Sequence, residues 1–402
     1  MLPIWNKAAV ATAADQPAML TRIGAMAGTT MTQHKSMNGL KPRAYMQRQE
    51  RLPRSYAAID AGWLTQFLAQ RYPGVAVERL ETIEFIDGHT SKARIRVELN
   101  EAGHAAGLPQ QLCLKANWIE EDRSSAVCVQ EARFYHDLPH FINIPAPRCY
   151  MADWDDDGLG QQGIIVLEDL VERGGTFSTS ASGISPADAY KAVDSLADLH
   201  GSSWSRPELD RLDWLQTSVA ADTPVDDYWM LLKDIIDVRR KDRQWLSILP
   251  AWIAEAPDRL YAAFQQLCRE ERADSSPLCL IHGDAHLGNC YRTPNGERLW
   301  FDWQLPRRGR PWRDYSYFII GSLELEDRRG HEQALFDHYF TRLLSHGVTL
   351  DRRRAWIDYR RWIVWGLIAW LTNINPNEPS QGPLNRFSRA AEDLDLAALF
   401  DV

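Results

Sequence analysis

Apolar and polar residues alternate through ARIRVEL at 93–99, the period-two signature of a strand with one buried face. Segments at about 76–86 and 110–116 read as neighbouring strands, and DGHTSK between the first two reads as a hairpin turn, Asp87-Gly88 being a standard signal for one. PAPRCYMA and GIIVLEDL, separated by the acidic turn DWDDDGLG, predict a second hairpin. The period becomes helical in AVCVQEARFYHDL, where Val127, Glu131, Phe134, Tyr135 and Leu138 recur on one face. Upstream, Asp60 is placed to start a helix with Trp63, Phe67 and Tyr72 turned inward, and Pro73-Gly74 to end it.

After residue 170 the pattern changes to helices. VERGGTFSTSASG reads as a hinge-like loop. Ser185-Pro186 then starts a helix, with Pro at the first position, Asp188 in the first turn, and Ala189, Val193, Leu196 and His200 as its buried stripe. Further helices are expected at about 225–240, 247–271, 330–346 and 351–373. The longest intensely apolar window, WIVWGLIAWL at 362–371, has ten residues, about half of what a bilayer-spanning helix requires. It predicts a core helix. The whole predicts an α+β chain in two lobes, the first with an antiparallel sheet and a helix, the second larger and mainly helical.

Composition narrows the function classes. The 402 residues suffice for two lobes with substantial cores. With 45 basic against 54 acidic residues the net charge is −9, which offers no electrostatic case for nucleic acid or an anionic membrane. The 6 cysteines show no CxxC pairing and fall mostly in apolar segments, which fits a reducing cytoplasm. Residues 1–54 have no clear period and no secretory pattern. Methionines from Met19 through Met46 are consistent with a start downstream of the first residue, and a flexible extension is the alternative. Most of the 16 tryptophans are expected to be packing residues.

The candidate chemistry sits in CLIHGDAHLGN at 279–289 and LWFDWQ at 299–304. Two apolar runs present His282, Asp284, Asn289 and then Asp302 at one site. Asp284 suits an acceptor hydroxyl as base. Asn289 follows it at the offset of the Asp and Asn in the protein-kinase catalytic loop, and Asp302 supplies a further oxygen ligand for Mg²⁺. His282, Asp284 and His286 also spell HxDxH, a possible ligand set for a metal-dependent hydrolase, so both chemistries are open on the loop alone.

HGDAHLGN with a downstream FDWQ resembles the aminoglycoside phosphotransferase and choline kinase superfamily. The Trp-Gln after Asp302, RDYSYFI at 313–319 and VLEDL at 166–170 make it similar to the ecdysteroid-kinase-like branch, over roughly residues 55–400. The resemblance implies a two-lobed protein-kinase-like fold: an extension at 1–54, a nucleotide-binding lobe at 55–170, and a catalytic and acceptor-binding lobe at 171–402. A kinase further demands a glycine turn, a strand Lys and a helix Glu, in that order. The chain offers Gly88, with backbone groups of Thr90 and Ser91 facing phosphate, then Lys115 in QQLCLKAN, then Glu131. Backbone groups at Leu167 to Asp169, Glu168 among them, would meet adenine. Of the remaining residues, His282 is expected to orient the loop, His286 to touch phosphate or fill space, Asp314 to brace the loop from the following helix, and His200 to be structural. The arginines of RRGRPWR at 307–313 are expected on a solvated face.

The activity so implied is an ATP- and Mg²⁺-dependent transfer of the γ-phosphate to a hydroxyl of a small-molecule acceptor. That acceptor is either a cationic amino alcohol or sugar, or an apolar steroid-like alcohol. The alternatives are a catalytically silent pseudokinase and the hydrolase above. Asp284 is the expected base, Asn289 and Asp302 the metal ligands, and Lys115 with Glu131 the phosphate grip.

Overall fold

The computed structural model of the chain describes residues 50–88, 90–118, 125–156, 161–219, 235–239, 241–373 and 380–400. The chain divides into two compact units, one holding the described residues up to Asp137 together with Arg148–Glu172, the other Leu138–Pro147 and the described residues from Arg173 onward.

In the first unit Asp60 caps helix α1 (Ala61–Ala69), its carboxylate accepting the Trp63 N–H at 2.7 Å. The inward face differs from the expected one: Leu64, Phe67 and Leu68 are buried, while Trp63 and Tyr72 pack only partly against the core. Strands β1 (Val77–Ile86), β2 (Ser91–Leu99) and β3 (Gln111–Ala116) follow. Helix α2 (Ser125–Asp137) comes next, then β4 (Cys149–Asp155) and β5 (Gln162–Glu168). The strands form one antiparallel sheet in the order β1-β2-β3-β5-β4. Alternation in β2 turns Ala93, Ile95, Val97 and Leu99 into the core beneath α1. The edge strand β1 is largely exposed and carries Glu78, Arg79, Glu81 and Glu84, charges that discourage pairing with another strand.

Helix α2 packs against β4 and β5. Gly163 makes that docking possible, because a Cβ there would lie 2.2 Å from the Cys128 carbonyl oxygen.

The second unit is mainly helical. Ser185 caps α3 (Pro186–Ser202), its hydroxyl accepting the Asp188 N–H at 3.2 Å, and Ala189, Val193, Leu196 and His200 are buried. The helix expected at about 225–240 falls largely outside the described residues, of which 235–239 are helical. The one expected at 247–271 is two helices, Ala251–Glu255 and α4 (Asp258–Ala273). Pro257, with no N–H to donate, separates them. Short strands β6 (Cys279–Ile281), β7 (Cys290–Arg292), β8 (Arg298–Trp300) and β9 (Arg307–Gly309) pair as β6 with β9 and β7 with β8.

Helices α5 (Trp312–Ser322), α6 (Leu325–Ser345), α7 (Arg352–Arg361), α8 (Ile363–Thr372) and α9 (Gln381–Asp393) complete the unit. The stretch expected as one helix at 351–373 breaks at Trp362, whose ψ of −4° leaves the α-helical range. Every residue of α8 is buried, and among the described residues no helix is long and apolar enough to cross a membrane.

Candidate active site

The loop leaving β6 is shaped by its glycine. Gly283 has φ +83°, and a Cβ on it would lie 2.0 Å from the Leu305 carbonyl oxygen, so both the backbone and the crossing segment require the missing side chain. The loop is then pinned from α5. Asp314, fully buried, accepts the His282 N–H at 2.6 Å and the Gly283 N–H at 2.9 Å, and His200 Nε2 lies 3.2 Å from it. His200 Nδ1 in turn lies 2.7 Å from the Tyr339 hydroxyl. Burial would push the Asp314 carboxyl up, but the hydrogen bond and electrostatic interaction with His200, together with the donated backbone N–H of His282, outweigh it and hold the group below its usual value. It is an ionised anchor.

His282 is committed on both sides. Nδ1 accepts the Asp284 N–H at 3.3 Å, so the ring proton sits on Nε2 and is donated to the Phe301 carbonyl at 3.0 Å. Burial pushes this imidazole down, against the pull of Asp314 and Asp284, which keeps it neutral. His286 caps the short helical turn Leu287–Asn289, its Nδ1 accepting the Gly288 N–H at 3.1 Å. Its Nε2 lies 3.7 Å from Asp284 Oδ2, and its ring meets Tyr317 and Trp370 edge-on.

Asp284 keeps a fifth of its side chain exposed (20 %). Asn289 is tied to it: Nδ2 donates to the Asp284 carbonyl at 2.9 Å and lies 3.4 Å from Oδ2, leaving Oδ1 as the remaining polar atom of the amide. The Phe301 N–H donates to the Asn289 carbonyl at 3.1 Å, which brings the residue before Asp302 beside Asn289. Asp302 itself has φ +67°, a left-handed conformation unusual for a residue with a side chain. An amide oxygen and a carboxylate are the donor types that a hard cation such as Mg²⁺ takes.

In the other unit Lys115 on β3 and Glu131 on α2 form a buried ion pair, Nζ to Oε2 2.6 Å, with side-chain exposures of 4 % and 2 %. Gly88 lies in the β1–β2 turn without a left-handed φ, and a Cβ on it would make only ordinary contact, 3.5 Å from the Thr90 carbonyl oxygen. Thr90 and Ser91 are buried, and the Ser91 hydroxyl accepts the Trp118 N–H at 3.4 Å. Glu168 is paired with Arg148 through backbone and carboxylate, its N–H donating at 2.9 Å and its Oε1 accepting at 2.8 Å.

The arginines of 307–313 do not form a solvated face. Arg307, Arg310 and Arg313 are buried. Arg310 sits between Glu271 (2.6 Å) and Asp274 (3.1 Å), and the half-buried Arg308 donates to the Leu215 carbonyl at 3.0 Å and pairs with Asp210. Arg313 donates to the Gly283 carbonyl at 2.8 Å, with its guanidinium 3.9 Å from the Trp365 ring centre. The acceptors come from distant segments, so local charge density was a poor guide to burial. Arg313 and Tyr339 therefore join the loop's support; Arg313 opens the RDYSYFI motif but was expected on a solvated face, and no local sequence signal marks Tyr339. The pair of the half-buried Arg94 with the buried Asp169, at 3.0 Å, was also not anticipated.

The sequence model of the ecdysteroid kinase-like family matches residues 123–351. No curated relative matches the chain at the level of sequence. Among solved structures, choline kinase from Cryptosporidium parvum is similar over 84% of this chain and 96% of that one, at 13% identity and a TM-score of 0.48. The GDP complex of wild-type aminoglycoside 2'-phosphotransferase-IIIa aligns over 83% of this chain and 100% of that one at 14% identity and a TM-score of 0.44. Choline kinase from Streptococcus pneumoniae aligns over 79% and 94% at 15% and 0.44.

Proposed function

From the chain's membership of the ecdysteroid kinase-like family, within the protein-kinase-like superfamily, we infer that it is an ATP- and Mg²⁺-dependent kinase of small-molecule alcohols. The observation that carries this is the state of Asp284: it keeps an accessible carboxylate in a loop whose other polar groups, His282, Asp314 and the Asn289 nitrogen, are already committed to holding it.

In this mechanism Asp284 orients the acceptor hydroxyl and takes its proton as the oxygen attacks the γ-phosphorus and the bond from that phosphorus to the β–γ bridging oxygen breaks, releasing ADP. Lys115, held by Glu131, grips the nucleotide phosphates. Asn289 and Asp302 would hold Mg²⁺, which supplies neutralisation of phosphate charge. The loop is fixed before substrate arrives, because Asp314, Arg313 and His282 hold its backbone at Gly283 and Asp284. The Zn- or Mn-hydrolase alternative is disfavoured by His282, both of whose ring nitrogens are occupied within the protein.

The test is MgATP-dependent ADP release against a library of alcohols, cationic and apolar. Asp284→Ala is expected to retain MgATP binding and lose at least about 10²-fold in turnover on the acceptor found. Undiminished turnover would refute the assignment of the base, and ATP-independent ester cleavage would refute the kinase.

A further inference from the structure

Arg307 is the feature the proposed mechanism does not use. It is only 7 % exposed, and among the described residues its one side-chain hydrogen bond, from Nη1 at 2.8 Å, goes to the carbonyl of its own neighbour Pro306. Arg308 and Arg310 beside it each have carboxylates, but among the described residues Arg307 faces none. The charge it does feel is a like one. Burial, together with Arg313, pushes its guanidinium down to about 10, so it remains a cation at neutral pH. A buried cation without a counter-ion is costly and is seldom kept unless something compensates it.

Its position is specific. Arg307 pairs in register with Ile281, the last residue of β6 before the loop, and the carbonyl of Leu305 fills the place of a Gly283 side chain. Arg313, its cationic neighbour, holds the Gly283 carbonyl on one side and lies against Trp365 on the other, while Trp370 of the same helix α8 meets His286. Both indole N–H groups, of Trp365 and Trp370, are buried and meet no acceptor among the described residues. Among the described residues, then, the Arg307 charge meets no carboxylate and these two indole N–H groups meet no acceptor. Guanidinium groups recognise planar or tetrahedral oxyanions by paired hydrogen bonds.

We propose that Arg307 is the receptor for an anionic group (carboxylate, sulfate or phosphate) carried by the acceptor alcohol. The substrate class then becomes hydroxy acids or anionic conjugates of larger alcohols. The inference rests on the kinase reading for the word acceptor, while the anion site itself is measurable without turnover.

The experiment uses the full chain with inorganic sulfate as probe, by calorimetry and thermal unfolding, with and without saturating MgADP. Wild type binds sulfate in both conditions and is stabilised by it. Arg307→Gln weakens that binding at least about tenfold, the loss of one charge-assisted hydrogen bond. Equal sulfate affinity in wild type and variant overturns the proposal. So does complete displacement of sulfate by MgADP, which would assign the anion to the nucleotide. If Arg307→Gln fails to fold, Arg307→Lys takes its place. It keeps the charge but not the fork, so it should bind sulfate several-fold more weakly, and unchanged affinity overturns the proposal equally.

Turnover is then compared on alcohols matched with and without a carboxylate. Turnover confined to neutral alcohols leaves the kinase standing and removes this inference. Sulfate binding through Arg307 with no alcohol phosphorylated does the reverse.

Discussion

Replacing Asp314 by Asn changes one atom of the buried anchor. The carboxylate uses Oδ2 for the His282 N–H and the contact with His200, and Oδ1 for the Gly283 N–H. In Asn the carbonyl can keep the first pair, but the amide nitrogen then opposes the Gly283 N–H, donor against donor. The loss is one charge-assisted hydrogen bond of about 1.5–3 kcal/mol and the charge assistance of the others, with a buried donor left unmet. A local cost of about 3 kcal/mol follows, because relaxation of the loop is restricted by Arg313 at Gly283 and by Leu305 above it. Amide hydrogen exchange measured by mass spectrometry on peptides spanning 279–289 reads this directly. Opening easier by about 3 kcal/mol speeds exchange at His282 and Gly283 by about 10²-fold, independently of stability elsewhere in the chain. Exchange within about twofold of wild type at these two amides would refute the claim that Asp314 holds the loop.

Two further predictions concern groups at or beside the same sites. Lys115→Met leaves Glu131 buried without its cation and should cost about 3–5 kcal/mol in urea unfolding, while the double variant Lys115→Met/Glu131→Leu should recover most of it; equal losses in both would contradict the pairing. For pH, burial holds native His282 below the 6.5 of the free side chain, so the unfolded chain takes up a proton there first. Stability is therefore lost as pH falls from about 7 through that value, and Asp314, held below 3.8, adds a second loss only in strong acid. Thermal midpoints between about pH 7 and pH 5 should fall in wild type and fall less in His282→Gln, and identical slopes would count against the assignment.

Local pattern carried some elements and not others. The alternation in β2, the capping residues Asp60 and Ser185 and the helical spacing around Glu131 are short-range signals, and each element forms where its signal lies. The meeting of Lys115 with Glu131 and of Asp314 with the loop was anticipated through family motifs, because spacing alone brings neither pair together. LWFDWQ reads as one extended run, yet only Arg298–Trp300 is strand: the left-handed backbone of Asp302 ends it, and Trp303 is apolar because it is buried, its indole N–H donating to the Trp300 carbonyl at 2.6 Å. The arginine run failed for a related reason. Charge density along a chain reports solvation only when partners are local, and those of Arg308, Arg310 and Arg313 lie in segments far away in sequence. Helix α9 went unanticipated; its buried face is Pro383, Leu384, Arg386, Phe387, Ser388, Ala390 and Ala391, a stripe interrupted by a serine and by an arginine that reaches the Gly321 carbonyl at 2.8 Å.

The twisted backbone at Asp302 sets the interests of folding against those of the site. A non-glycine residue at φ +67° carries a conformational penalty of order 1–3 kcal/mol, which glycine would remove and asparagine would lessen. Both of those replacements discard the carboxylate. A library at this position screened only for heat resistance would accordingly enrich chains that have given up their acid, so thermal selection and any use of the carboxylate would pull the residue in opposite directions.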